Sequence, residues 1–159
     1  MGDENFTKEE LETNHETLKH INNVKQYLKM CEEKLRTKGE VHDQTKMEKP
    51  EVSIFAEFTP KLATTTYGSD EYNGFLEEMK VALDHHYAKN RHHPEHFRNG
   101  VDDMTLIDLI EMLCDWKAAT LRHHDGNILK SIEYNAKRFS IDSQLVTVLK
   151  NTIELFEDV

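Results

Sequence analysis

The sequence predicts an all-α protein folded as one compact helical domain of about six helices. Only six glycines and three prolines interrupt its 159 residues. In most segments apolar residues recur at three-, four- and seven-residue steps, and no segment shows the alternation of a strand. The length suits a single ordinary domain over residues 1–159 and is short for two independent ones.

Each element has its own signal. Thr7 and Glu10 of "TKEE" spell a capping box that opens the first helix. Leu11, Leu18, Ile21, Val24, Leu28, Cys31 and Leu35 then form one buried stripe, which Gly39 ends. A short second helix begins near His42 and is interrupted before or at Pro50. "EVSIFAEF" is helical up to Pro60. "TPKLATTTYGSD" reads as a loop, because Pro60, three threonines and Gly68 disfavour helix. Ser69 starts a helix whose stripe is Tyr72, Phe75, Leu76, Met79, Ala82, Leu83 and, in register, His86. "NRHHPEHFRNGVDD" is a second loop, broken by Pro94 and Gly100. A helix from about Asp103 to His124 turns Leu106, Ile107, Ile110, Leu113 and Cys114 to the core. Asp125-Gly126 is a turn, and two shorter helices, roughly 127–139 and 143–157, close the chain.

Composition narrows the function. Thirty acidic residues against 20 Lys and Arg leave a net charge of −10. Such a surface repels duplex nucleic acid and anionic lipid. It does not exclude a small phosphorylated ligand, since bound cations invert the local field. No apolar run approaches a membrane span, and the acidic "MGDENFTKEELE" is neither a secretory signal nor a transit peptide. Cys31 and Cys114 follow no disulfide or CxxC pattern. A reduced, cytoplasmic protein is the expectation.

Four stretches carry ligand chemistry. In "VHDQTK", His42 and Asp43 place a neutral nitrogen and an anionic oxygen side by side, a mixed set suited to first-row divalent ions or Mg. Lys46 follows three residues on, positioned to neutralise a phosphate. Taken alone, the segment also reads as a plain helix N-terminus with Lys46 in solvent. "ETLKH" sets Glu16 and His20 four residues apart at the border of the first helix's stripe. "ALDHHYAKNRHHPEHF" holds five of the ten histidines. His86 lies on an apolar stripe, where an imidazole needs a partner. Asp108, Glu111 and Asp115 form one line on a helix, with Asp115 inside an apolar stretch.

In the order His20, His42-Asp43, His85-His86, Asp115, the chain resembles the HD superfamily of metal-dependent phosphohydrolases. "HDQTK" is similar to the His-Asp-x-x-Lys form of two-metal members. The segment from His85 to Thr120 resembles the paired-histidine region of the HD-GYP branch, with "HHPEHF" where that branch has Gly-Tyr-Pro. Glu16 ahead of His20 matches a Glu-x-x-x-His of multi-metal members. The chain as a whole also looks like a family of small bacterial and phage proteins.

The resemblance implies an HD-like helical fold, with the metal-site segment over about 16–120 and a C-terminal helical pair over about 127–157. It implies one or two divalent ions (Mn, Fe, Co, Ni, Zn or Mg) held by Glu16, His20, His42, Asp43, His85, His86 and Asp115. Asp43 and Lys46 would be catalytic. From their place in the loop, Lys89, Arg91, His92, His93 and His96 either face substrate as an anion-binding lid over the metals or are plain loop surface. The implied reaction is hydrolysis of a nucleotide or another small phosphate ester by a metal-activated water. Two alternatives stay open: a di-iron oxygenase of the same fold, and a nucleotide-binding or inhibitor module without turnover. Oligomerisation is also left open.

Overall fold

The computed structural model describes residues 6–66, 69–122 and 126–156. Expectations placed at Gly68, His124, Asp125 and Glu157 lie outside the described residues. Among those described there are seven α-helices, four short 3-10 turns and no strand, so the all-α class holds. No described helix is long and apolar enough to cross a membrane.

The chain divides at Glu40 into two units, Met1–Glu40 and Val41–Val159, where the sequence predicts one domain. The first unit is essentially one helix rather than a second core. This helix, α1, runs Lys8–Val41. Its start follows the capping box: the Glu10 carboxylate accepts the Thr7 N–H at 2.7 Å, and the Thr7 hydroxyl accepts the Glu10 N–H at 3.2 Å. The expected stop at Gly39 is not used. A single glycine costs a helix only about 1 kcal/mol, and the Arg36–Glu40 ion pair spans that turn. The expected buried stripe is also not buried: Leu11, Leu18, Ile21, Val24 and Leu28 are exposed, and no residue of α1 is buried.

The second unit opens with a turn. Asp43 takes φ 55° and ψ 17°, the left-handed region that aspartate tolerates better than most residues. A 3-10 turn, Gln44–Met47, follows in place of the expected short helix. Helix α2 spans Glu51–Ala63 and passes through Pro60, correcting the expected stop there. The missing Pro60 N–H deprives only Ala56, which is exposed, so the cost falls at the surface rather than in the core.

Ser69 caps α3, Asp70–Glu78, accepting the Tyr72 N–H at 3.2 Å. Helix α4, Lys80–Lys89, follows after a break at Met79, so the one expected helix is two. The stripe nevertheless keeps its register: Met79, Ala82 and His86 are all buried. Phe58 of α2 is buried as well, its ring 6.0 Å from that of Phe75 on α3.

Two 3-10 turns, Pro94–His96 and Gly100–Asp103, carry the chain to α5, Leu106–Thr120. Thr105 and Asp108 form a capping box there. Helices α6, Ile128–Arg138, and α7, Ser143–Ile153, pack with α5 around Leu109, Met112, Leu113, Ile128, Ile132, Leu149 and Ile153. The buried face of α5 is only partly the expected one: Leu113 is buried. Leu106, Ile110 and Cys114 are exposed, whereas Asp108 and Glu111 are buried. The acidic line of α5 thus faces inward, because partners from the preceding loop and from His42 meet it there.

Candidate metal centre

Five pieces of the second unit converge: the Val41–Met47 turn, the start of α2, the end of α4, the loop residues 90–93, and α5. Each contributes a polar side chain for a local reason. Asp43 takes a left-handed backbone conformation ahead of the 3-10 turn, and its carboxylate lies between two sets of partners. Its Oδ2 accepts from Lys46 Nζ at 2.6 Å and lies 3.5 Å from His42 Nε2. Its Oδ1 lies 3.3 Å from His86 Nε2 and 3.4 Å from His92 Nε2.

The three inner imidazoles are His86, His92 and His93. His86 continues the buried stripe of α4 and is 2 % exposed; His92 is 1 % exposed. His86 Nε2 and His93 Nε2 are 2.9 Å apart. His92 turns Nδ1 towards Glu111 Oε1 at 3.3 Å. His42 Nδ1 lies 3.1 Å from the same Glu111 oxygen, and its Nε2 lies 3.7 Å from Asp115 Oδ1. Three overlapping donor groups result: Asp43 with His86, His92 and His93; His42 with His92 and Glu111; and His42 with Asp43 and Asp115.

Asp43 Oδ1 and His92 Nε2 are among the buried side-chain atoms that have no hydrogen-bond partner. They face each other. A buried acceptor left unsatisfied costs roughly 1–3 kcal/mol, and a cation between these two could satisfy both. The spacing fits one: donors at ~2.1 Å from a single ion stand ~3.0–3.4 Å apart at octahedral to tetrahedral angles. The Asp43, His86, His92 and His93 atoms are separated by 2.9, 3.3 and 3.4 Å along the measured edges. Mixed imidazole and carboxylate donors suit first-row divalent ions.

Protonation follows the same field. Hydrogen bonds to Asp115 and Glu111, working against burial, push the His42 imidazole up to about 10. Burial pushes the Asp43 carboxyl up, but His86, Lys46 and His42 outweigh it and hold it below the usual carboxylate range. Asp115 is also lowered, burial being outweighed by His42, Lys46 and His92. Burial, with His92 and His86 beside it, pushes His93 down to about 3. His93 is therefore neutral at pH 7, and the acidic pole of the centre keeps its negative charge.

The structure brings together His42, Asp43, Lys46, His86 and Asp115 from the expected residues, and adds His92, His93 and Glu111 as donors. His92, expected to face substrate from the loop, is too enclosed to do so: its nitrogens meet Asp43 and Glu111. Of the five histidines in "ALDHHYAKNRHHPEHF", His86, His92 and His93 join a donor group. His85 sits outside the donor groups, its Nδ1 2.7 Å from Glu51 Oε1, and His96 Nδ1 donates to the Tyr87 carbonyl at 2.8 Å. Arg91 is engaged by Asp108 through two bonds of 3.2 and 3.0 Å, and Lys89 is exposed. Glu16 and His20 lie on α1 in the other unit; both are exposed, and Glu16 pairs with Lys19 at 2.7 Å.

The residue that sequence reasoning missed is Glu51. A glutamate in the first turn of a helix reads as a complement to the helix dipole, and no local spacing ties it to histidines 34 and 35 positions away. Glu111 was visible only as part of an acidic line. A family described as of unknown function, DUF5662, matches residues 9–155. No curated protein and no solved structure matches the chain.

Proposed function

This chain belongs to the DUF5662 family, so its function must be read from the site, and we propose that the second unit holds a divalent metal centre that hydrolyses a small phosphate ester, a nucleotide in the first instance. The observation that carries the metal is the confrontation of Asp43 Oδ1 with His92 Nε2, both buried and unsatisfied. The observation that favours phosphate is Lys46. Its ammonium is held 2.6 Å from Asp43 Oδ2, its side chain is 35 % exposed, and Phe55 lies 5.7 Å beneath it. An anchored cation beside a carboxylate-imidazole donor set is placed to take a phosphate oxygen. The resemblance of His42-Asp43, His86 and Asp115 to the HD ligand series supports the same reading.

Asp43, His86, His92 and His93 would hold the ion. When bound, it supplies Lewis acidity and a water of lowered pKa. Lys46 orients the ester and balances charge on its non-bridging oxygens. His42, protonated between Glu111 and Asp115, holds the proton that a leaving oxygen takes.

The test is elemental analysis of protein purified without chelators, followed by phosphate release with Mn, Fe, Co or Mg across a nucleotide and phosphate-ester panel. Asp43→Asn and His92→Ala are expected to lose the metal while staying folded. Full metal content in both variants would refute the centre. Metal-dependent oxygen uptake without phosphate release would replace hydrolysis by an oxygenase. A nucleotide that binds and returns intact would leave a binding module.

A further inference from the structure

One buried carboxylate serves two neighbouring histidines. Glu51 is 0 % exposed; its Oε1 lies 2.7 Å from His85 Nδ1 and its Oε2 lies 2.9 Å from His86 Nδ1. We propose that Glu51 is a positioning residue that fixes both histidines in the Nδ1–H form and so presents a bare His86 Nε2 to the centre. The proposal rests on the metal-centre reading for its consequence, though not for the tautomer itself.

The tautomer follows by elimination. His86 Nδ1 has three neighbours: the Glu51 carboxylate at 2.9 Å, the Asn90 amide nitrogen at 3.0 Å and the Thr45 hydroxyl at 3.3 Å. The Asn90 amide already donates to the His86 carbonyl at 2.8 Å and to Thr45 Oγ1 at 2.9 Å, so neither of its protons is needed by the ring. A carboxylate facing an imidazole lone pair is repulsive and a proton between them gives a charge-assisted bond. Both His86 nitrogens face a carboxylate, but Glu51 is the nearer, at 2.9 Å from Nδ1 against 3.3 Å from Nε2 to Asp43 Oδ1, and Asp43 Oδ1 receives no hydrogen bond. Nδ1 therefore carries the proton and Nε2 keeps its lone pair. That nitrogen points at Asp43 Oδ1 and His93 Nε2, where a metal needs a donor and not a proton. A carboxylate behind a ligating histidine orients the ring and raises its basicity. His85, on the outer side and 37 % exposed, completes the Glu51 carboxylate without entering the centre.

The experiment is long-range ¹H–¹⁵N NMR of the full, metal-free chain, with calorimetric Mn and Co titration of the same samples. Wild type is expected to show His86 as Nδ1–H; finding Nε2–H there overturns the proposal without any variant. In Glu51→Ala, His86 is expected to move to Nε2–H and metal affinity to fall about 10–100-fold. Either change without the other overturns it, because a loss with the tautomer retained is only structural. His85→Ala should keep the His86 tautomer and near-native affinity; losing both would place the control in His85 instead. Should Glu51→Ala not fold, Glu51→Gln sets an NH2 where one of the two carboxylate oxygens stood, so one of His85 and His86 is expected to leave the Nδ1–H form, and both keeping it would overturn the proposal. A wild type that shows the expected tautomer yet binds no metal would refute the metal-centre reading and leave the tautomer assignment standing.

Discussion

Arg91 and Asp108 form a latch on which the centre depends, and its strength can be worked from the structure. The Asp108 carboxylate is 1 % exposed and receives four bonds: Arg91 Nε at 3.2 Å, Arg91 Nη2 at 3.0 Å, the Thr105 N–H at 3.0 Å and the Thr105 hydroxyl at 2.7 Å. It thereby ties the second residue after α4 to the cap of α5, directly ahead of His92 and His93. Bonds to charged groups contribute about 1.5–3 kcal/mol. The Arg91 side chain is 44 % exposed, so water discounts its share, and Arg91→Ala should cost about 2 kcal/mol. Asp108→Ala loses the same bonds and the capping box, worth about 1 kcal/mol more, so about 3 kcal/mol in all. The double variant should then also cost about 3 kcal/mol rather than the sum of about 5, a coupling of about 2 kcal/mol. Urea denaturation of the metal-free chain measures all three. Effects that add to within about 0.5 kcal/mol would refute the latch and free Arg91 for the substrate-facing role the sequence predicts.

Two further outcomes follow from local geometry. In the metal-free protein His42 is raised from 6.5 to about 10, so its contribution to stability is fully present below about pH 6.5 and is lost as pH rises through about 10; an NMR titration that finds His42 neutral at pH 8 would contradict the contacts with Asp115 and Glu111. Ser140 ends α6 with φ 52°, and the Ile141 N–H closes on the Ala136 carbonyl at 2.9 Å, a left-handed helix end that glycine adopts without strain. Ser140→Gly should stabilise the protein by about 1 kcal/mol, read as a rise in Tm; a fall would show that the serine side chain holds the turn.

What was legible in the sequence was local. The Thr7–Glu10 capping box, the Ser69 cap and the register that buries His86 depend on residues within one or two turns, and the chain shows them directly. Asp43 could be read as a ligand candidate because its neighbour His42 lies beside it in sequence. The left-handed backbone at Asp43 could not, since aspartate tolerates that region without requiring it.

Burial was the quantity the sequence misassigned. The stripe of α1 is as regular as that of α4, yet Leu18 and Leu28 are exposed and Met79 and Ala82 are not, because periodicity says which residues share a face and not what covers that face. The same limit explains His92: adjacent to Pro94 in a polar loop, it reads as surface, and only the Arg91–Asp108 latch and Glu111 turn it inward.

By itself, then, the sequence determined the helical class, the start of most helices and the presence of histidines and carboxylates fit to bind a cation, because these follow from short-range spacing and side-chain chemistry. Only the tertiary structure decided which of them meet. It placed Glu51 behind two histidines and His92 against Asp43, and left Glu16 and His20 on a separate helix. Contacts across 34 to 69 positions are set by how helices pack, and that depends on many weak apolar contacts that no single motif encodes.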